Sequence, residues 1–166
     1  FVFGRGGEEA EALVAAGIAW EMVPGISSGI AAAAYAGIPV LHREHASSVA
    51  FVSGHPGCDL GKVALEVDTL VVFMCGSTIA RIARALLARG RRRSLPVALI
   101  ASGTTARQAV YAGTLGELAR LEALELPTPV IAVVGEVAAL AAKLRWFGQP
   151  PLPLRAAPRR APARAA

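Results

Sequence analysis

Apolar residues recur along this chain in two rhythms, and their alternation sets the architecture. Ile79, Ile82, Leu86 and Leu87 fall at the i, i+3, i+7 and i+8 positions of one helix face, with Arg81 and Arg84 off that stripe and Gly90 behind it. Ser77 stands where an N-cap belongs. Short apolar runs at 49–53, 69–74, 96–101 and 130–134 read as strands, the second too uniform to have a wet face. Residues 18–23, ending at Pro24-Gly25, and residues 108–112 are two further strand candidates. Helices are predicted over 8–16, with acidic residues in the first turn and Gly17 as a left-handed stop, and over 27–35, capped by Ser27 and closed by Gly37. Thr114 and Glu117 have capping-box spacing, and Val137, Leu140, Leu144 and Phe147 mark a last helix. The alternation predicts an α/β fold, on a mixed sheet because some connections are short.

Composition changes this picture at one end. From Gln149 onward the chain is mostly Pro, Ala, Arg and Leu. Such a segment buries too little apolar surface to offset its ordering entropy, so 149–166 is expected to be disordered. It also carries Arg155, Arg159, Arg160 and Arg164 and no acid, so a net charge of +5 less these four leaves +1 for the body. The body is therefore no nucleic-acid platform. No apolar run reaches the ~20 residues needed to span a bilayer, and no basic-then-apolar signal segment opens the chain. Neither a membrane nor a nucleic-acid partner is expected. Cys58 and Cys75 lack Cys-x-x-Cys spacing and read as reduced thiols of a cytoplasmic protein.

Candidate chemistry sits at strand ends. Gly4, Gly6 and Gly7 flank Arg5 where a strand-like run meets a helix start, a place where backbone can approach a ligand or simply turn. Ser27, Ser28, Met74 and Gly103-Thr104-Thr105 hold comparable places, each also explicable as a cap, a core residue or a turn. Arg5, Arg43 and Arg107 are candidates for carboxylate binding, with surface ion pairs as the alternative. Arg91-Arg92-Arg93 reads as a solvated turn at a helix C-terminus. His42, His45 and His55 lack metal-ligand spacing on one helix face, so no metal is expected. No Ser-His-Asp triad or paired-carboxylate site is legible.

Three segments carry a resemblance. They are Phe1-Val2-Phe3-Gly4-Arg5-Gly6-Gly7-Glu8-Glu9, then Val23-Pro24-Gly25-Ile26-Ser27-Ser28, then Ala36-Gly37-Ile38-Pro39-Val40-Leu41-His42-Arg43 running on to Ser53-Gly54-His55. Together they resemble the tetrapyrrole methylase family, and within it the C-methyltransferases of uroporphyrinogen III. The resemblance implies a two-domain αβα architecture, with residues 1–45 the end of the first domain and 46–148 the whole mixed-sheet second domain. It implies S-adenosyl-L-methionine folded in the cleft between them. Val2, Ser27, Ser28, Met74, Gly103 and Thr104 match the cofactor-binding positions, and Arg5, Arg43 and Arg107 would meet the substrate's eight carboxylates. Two departures stand out: Ser27-Ser28 for the usual Thr-Ala, and Cys75 for the glycine that usually follows the methionine.

The activity implied is methylation of two pyrrole rings in succession to give precorrin-2, for sirohaem or cobalamin synthesis, by a cytoplasmic homodimer. The family's glycine-rich first loop, its Gly-Asp-Pro and its proton-transfer residues would all precede Phe1. No catalytic residue is therefore assigned, and the 166-residue chain alone is expected to have little activity. The alternatives are another family member, such as a precorrin methyltransferase or a diphthine synthase, a binding module acting through the Arg/Pro tail, and an inert fragment.

Overall fold

The apolar runs pair into one six-stranded sheet in a computed structural model that describes residues 1–57, 66–121 and 124–159. In chain order the elements are α1 (Gly6–Ala15), α2 (Ser28–Tyr35), β1 (Val49–Ser53), β2 (Thr69–Phe73), α3 (Ile79–Ala88), β3 (Pro96–Ala101), β4 (Ala109–Thr114), α4 (Leu115–Leu118), β5 (Val130–Val134) and β6 (Leu152–Pro153). Two 3-10 helices, Glu136–Ala142 and Leu154–Ala156, complete the set. The strand order is β1-β2-β5-β3-β4-β6, with β1 parallel to β2, β4 parallel to β6, and the pairs between antiparallel. The mixed sheet is as expected from the short connections.

Helices cover both faces, which is why the central strands are apolar throughout. Leu70, Val72, Val97, Leu99, Ala132 and Val134 face α3 and α4, in a cluster with Ile79, Ile82, Leu86, Leu115 and Leu118. The alternate residues Val71, Phe73, Ala98, Ile100, Ile131 and Val133 pack with Ala32 and Ala33 of α2 and with Val137, Ala138 and Ala141. This is the two-residue period of a strand seen from both sides. Helix α2 falls on the N-terminal side of the division expected near residue 45, yet it packs on this sheet.

Several expectations are corrected. Residues 18–23 form no strand: a strand needs a neighbour to take its amides and carbonyls, and none of the described strands pairs with it. Thr78, rather than Ser77, is the N-cap of α3, and its hydroxyl donates to the Gly54 carbonyl at 2.6 Å instead of capping the helix. The last helix is a 3-10 turn that stops at Ala142, its alanines letting the backbone lie close on the sheet. Leu144 and Phe147 lie beyond it.

The C-terminal segment departs furthest. Up to Arg159 it is ordered: β6 pairs with β4, Leu154 is 2% exposed within the core, and Leu124 bridges Arg159. The Glu125 amide donates to the Pro158 carbonyl at 2.9 Å. Leu154 and Ala157 supply the anchoring that the Pro/Ala/Arg composition conceals. Residues 160–166, and Cys58, lie outside the described residues.

The Thr114–Glu117 capping box forms as its spacing predicted, opening the single-turn helix α4. At the start of β2, one Asp68 carboxylate oxygen accepts from the amides of Ser47 and Ser48 at 2.8 and 3.1 Å and from their hydroxyls at 2.9 and 3.0 Å. These bonds, led by the Ser47 amide and then its hydroxyl, hold the carboxyl below its ordinary value.

Two expected outcomes follow. Leu154→Ala should cost about 2–5 kcal/mol in urea unfolding, the range for emptying a buried leucine site, whereas a disordered tail would show no effect. The Asp68 contribution is fully present above the unfolded-state pKa of about 3.9 and is lost as pH falls through the lower folded-state value. Asp68→Asn should therefore flatten the acid limb of the stability profile. An unchanged limb contradicts that assignment.

Candidate functional site

The carboxyl ends of β1, β2 and β3 meet the amino end of β5 at one edge of the sheet, because β5 runs antiparallel to β2 and β3. There a cavity of about 580 Å³ opens, lined among others by Ser28, Phe73, Met74, Ser77, Thr128 and Ile131. A smaller hollow of about 150 Å³, lined by Ile26, Ala32, Gly103 and Thr104, shares Ser28, Pro129 and Ile131 with it. The two make one cleft.

The cleft's rim is built from unusual backbone. Met74, Ser102 and Thr104 have φ of 53°, 48° and 69°, a left-handed conformation that costs non-glycine residues about 1–2 kcal/mol each. Hydrogen bonds hold two of the three: the Ser102 amide donates to the Pro129 carbonyl at 2.9 Å, and the Thr104 amide to Gln108 Oε1 at 2.8 Å. The Thr105 hydroxyl donates to the Ser102 carbonyl at 2.8 Å.

Helix α2 forms the facing wall and lies very close. A Cβ on Gly29 would come within 2.5 Å of the Phe73 ring, and one on Gly103 within 2.6 Å of the Ala32 Cβ. Gly103 is thus required by close approach rather than by its own dihedral angles.

Four of the six residues matched to cofactor binding line this cleft: Ser28, Met74, Gly103 and Thr104. Ser27 occupies the N-cap position of α2, but its side chain makes no capping bond, contrary to expectation. Val2 is exposed and lines neither hollow, although its neighbour Phe3 packs on Phe73 with ring centroids 5.0 Å apart. Arg5 sits at the N-cap of α1, Arg43 in the 42–46 hairpin and Arg107 in the turn before β4. All three are exposed, none lines the cleft, and none forms an ion pair among the described residues.

Other polar groups depart from their readings. Arg91-Arg92-Arg93 is not simply solvated, because Arg91 donates to the Val67 carbonyl and Arg92 pairs with Glu136. Burial pushes the Arg91 guanidinium down, opposed by Asp68. His42, Glu44 and His45 bring donor atoms within 4.8 Å of one another in a hairpin, a grouping that helix-face spacing does not detect. There His42 Nδ1 already accepts from the Glu44 amide at 3.2 Å.

Sequence reasoning missed the wall made by residues 126–129. It looked to carboxyl ends of strands, and this turn enters the site at an amino end. Pro127 and Pro129 flanking Thr128 just ahead of β5 were the available signal. It also passed over Gln108.

Chemically the cleft is an apolar slot edged by hydroxyls and backbone. Its volume lies within the 300–1,000 Å³ usual for small-molecule sites. Cys75, in the place of the usual glycine, is no nucleophile: burial pushes its thiol up to about 12, and it donates to the Val72 carbonyl at 3.4 Å. Its Cβ fits because Gly54 opposite has none; one there would come within 2.9 Å.

Gly103→Ala should push the loop and α2 apart, costing about 1–3 kcal/mol. Ala32→Gly in the same chain should restore part of that loss, as expected for residues in contact. Strictly additive unfolding free energies would show that the two walls do not touch.

Comparison with known proteins agrees with this geometry. The chain is 44% identical over 156 residues to siroheme synthase 1 of Serratia proteamaculans, covering 91% of this chain and 33% of that protein. It thus spans about a third of the length of the curated relatives it matches. The uroporphyrin III C-methyl transferase of Thermus thermophilus superposes with a TM-score of 0.74 at 34% identity, covering 86% of this chain and 62% of that one. The same enzyme complexed with S-adenyl homocysteine superposes with a TM-score of 0.73, covering 84% and 63%. Residues 1–119 match the family described as tetrapyrrole (corrin/porphyrin) methylases. With this sheet, this rim and these likenesses, the chain belongs to the tetrapyrrole methylase family.

Proposed function

We propose that the protein carrying this chain is an S-adenosyl-L-methionine-dependent C-methyltransferase that methylates uroporphyrinogen III on two pyrrole rings to give precorrin-2, on the way to sirohaem or cobalamin. One observation carries the reading. Ser28, Met74, Gly103 and Thr104, matched to the methyl donor by resemblance, line a single cleft in a chain 34% identical to an enzyme solved with S-adenyl homocysteine.

The residues present fit such a ligand. Apolar Ile131 and Phe73 suit a nucleoside base, and Ser28, Ser77 and Thr128 offer hydroxyls within the same cavity. When bound, S-adenosyl-L-methionine supplies a methyl group already activated as a sulfonium, so no protein nucleophile is required. The chain's own contribution is to bind and orient through the strand-end turns and to exclude water with α2. Orientation of this kind supplies roughly 7–11 kcal/mol of a barrier. The exposed Arg5, Arg43 and Arg107, none in an ion pair among the described residues, offer cations for substrate carboxylates, which suits guanidinium forks.

In this reading residues 1–45 close one α/β domain and 46–148 form a second, to whose sheet β6 and the segment up to Arg159 are added, with α2 packed across the division. A cytoplasmic homodimer is part of it, and the exposed apolar Ile30, Leu144 and Trp146 offer surface for a second copy. No described helix is long and apolar enough to cross a membrane.

The test uses the protein as its gene encodes it, given uroporphyrinogen III and methyl-labelled S-adenosyl-L-methionine without oxygen. Two labelled methyl groups on ring carbons of each tetrapyrrole are expected. An unlabelled uroporphyrinogen III, with label reaching a later corrinoid intermediate or a protein substrate supplied in its place, would transfer the assignment to another member of the family.

A further inference from the structure

We infer that Gln108 is a positioning residue for the methyl donor, its carboxamide locking the Gly103-Thr104 wall of the cleft to the end of α2. The inference rests on the methyl-donor reading of the cleft. Gln108 lines neither hollow and lies just before β4, yet it is 9% exposed and doubly hydrogen-bonded. Its Oε1 accepts from the Thr104 amide at 2.8 Å, and its Nε2 donates to the Tyr35 carbonyl at 3.1 Å, 73 residues away in sequence.

Both partners need something. Thr104 has φ of 69°, so its peptide stays in place only if the amide is held. Tyr35 is the last residue of α2, where the final helical carbonyls have no partner within the helix. A carboxamide alone among side chains of this shape gives one group an acceptor and the other a donor. Ionised glutamate has no donor, and leucine has neither. Gly103 against Ala32 sets how closely the walls approach; Gln108 sets the rotation of the Thr104 peptide between them. The Gln108 amide donates to the Thr105 carbonyl at 3.0 Å, so the side chain is anchored in the loop it braces.

The experiment titrates S-adenosylhomocysteine calorimetrically into the protein as its gene encodes it, with kinetics alongside. Gln108→Leu should weaken binding about tenfold and raise the KM for the methyl donor similarly, with kcat changed less than about twofold, as expected when a binding wall is loosened. Gln108→Glu should bind weakly at neutral pH and recover as the pH falls and its carboxyl becomes a donor to Tyr35. That profile decides the matter if the leucine variant fails to fold. Val97→Ala, buried on the opposite face, should lower Tm and leave Kd unchanged.

The inference is overturned if Gln108→Glu shows no recovery on acidification, if a folded Gln108→Leu binds like wild type, or if Val97→Ala weakens binding as much as Gln108→Leu. Should the wild-type protein itself not bind S-adenosylhomocysteine, the methyl-donor reading falls and takes this inference with it. Should wild type and both Gln108 variants bind alike, only the role of Gln108 falls.

Discussion

Near-contact between the backbone of α2 and the sheet is the constraint on which the cleft depends. Gly29 lies on the Phe73 ring, Ala32 on Gly103, and Gly37 on the backbone of Leu144 and Arg145 at distances that leave no room for a Cβ on any of the three glycines. Small residues bring the helix near but bury little apolar area each, so their contribution at ~25 cal/mol per Å² is modest. Directed contacts make up the rest. The Trp146 indole donates to the Ala34 carbonyl at 2.9 Å, Tyr35 packs against both Trp146 and Phe147, and Gln108 bonds the helix end.

The mixed sheet explains why so many loops reach one place. Reversing β5 between β2 and β3 brings its leading turn, residues 126–129, to the edge where β2 and β3 end. The neighbouring residues of that wall are held in turn by the C-terminal segment, through the Leu124 bridge to Arg159 and the Glu125 amide on Pro158. A segment that adds nothing to the cleft surface therefore steadies it. Strained residues collect at the same edge, with Met74, Ser102 and Thr104 left-handed, and the surrounding bonds keep them there.

Much of this was legible in the sequence. The central strands were visible because burial on both faces makes them uniformly apolar, and α3 because one face carries all its large aliphatics. Ser28, Met74, Gly103 and Thr104 were marked by resemblance, at positions where a local reading left a ligand contact open beside a cap, a core residue or a turn; they line one cleft. What failed, failed for lack of tertiary information. Residues 18–23 have strand composition without a described neighbour, and the segment before Arg159 has tail composition but two buried anchors, Leu154 and Ala157. Gln108 escaped notice because its partners, Thr104 and Tyr35, meet only in three dimensions.

In the proposed function the strand-end turns and α2 enclose one nucleoside site. Backbone amide chemical shifts followed during a titration with S-adenosylhomocysteine would locate it. The largest changes should fall at Ser28, Met74, Gly103 and Thr104. Changes concentrated instead at the opposite strand ends, around Asp68, Leu95 and Gly135, would contradict it.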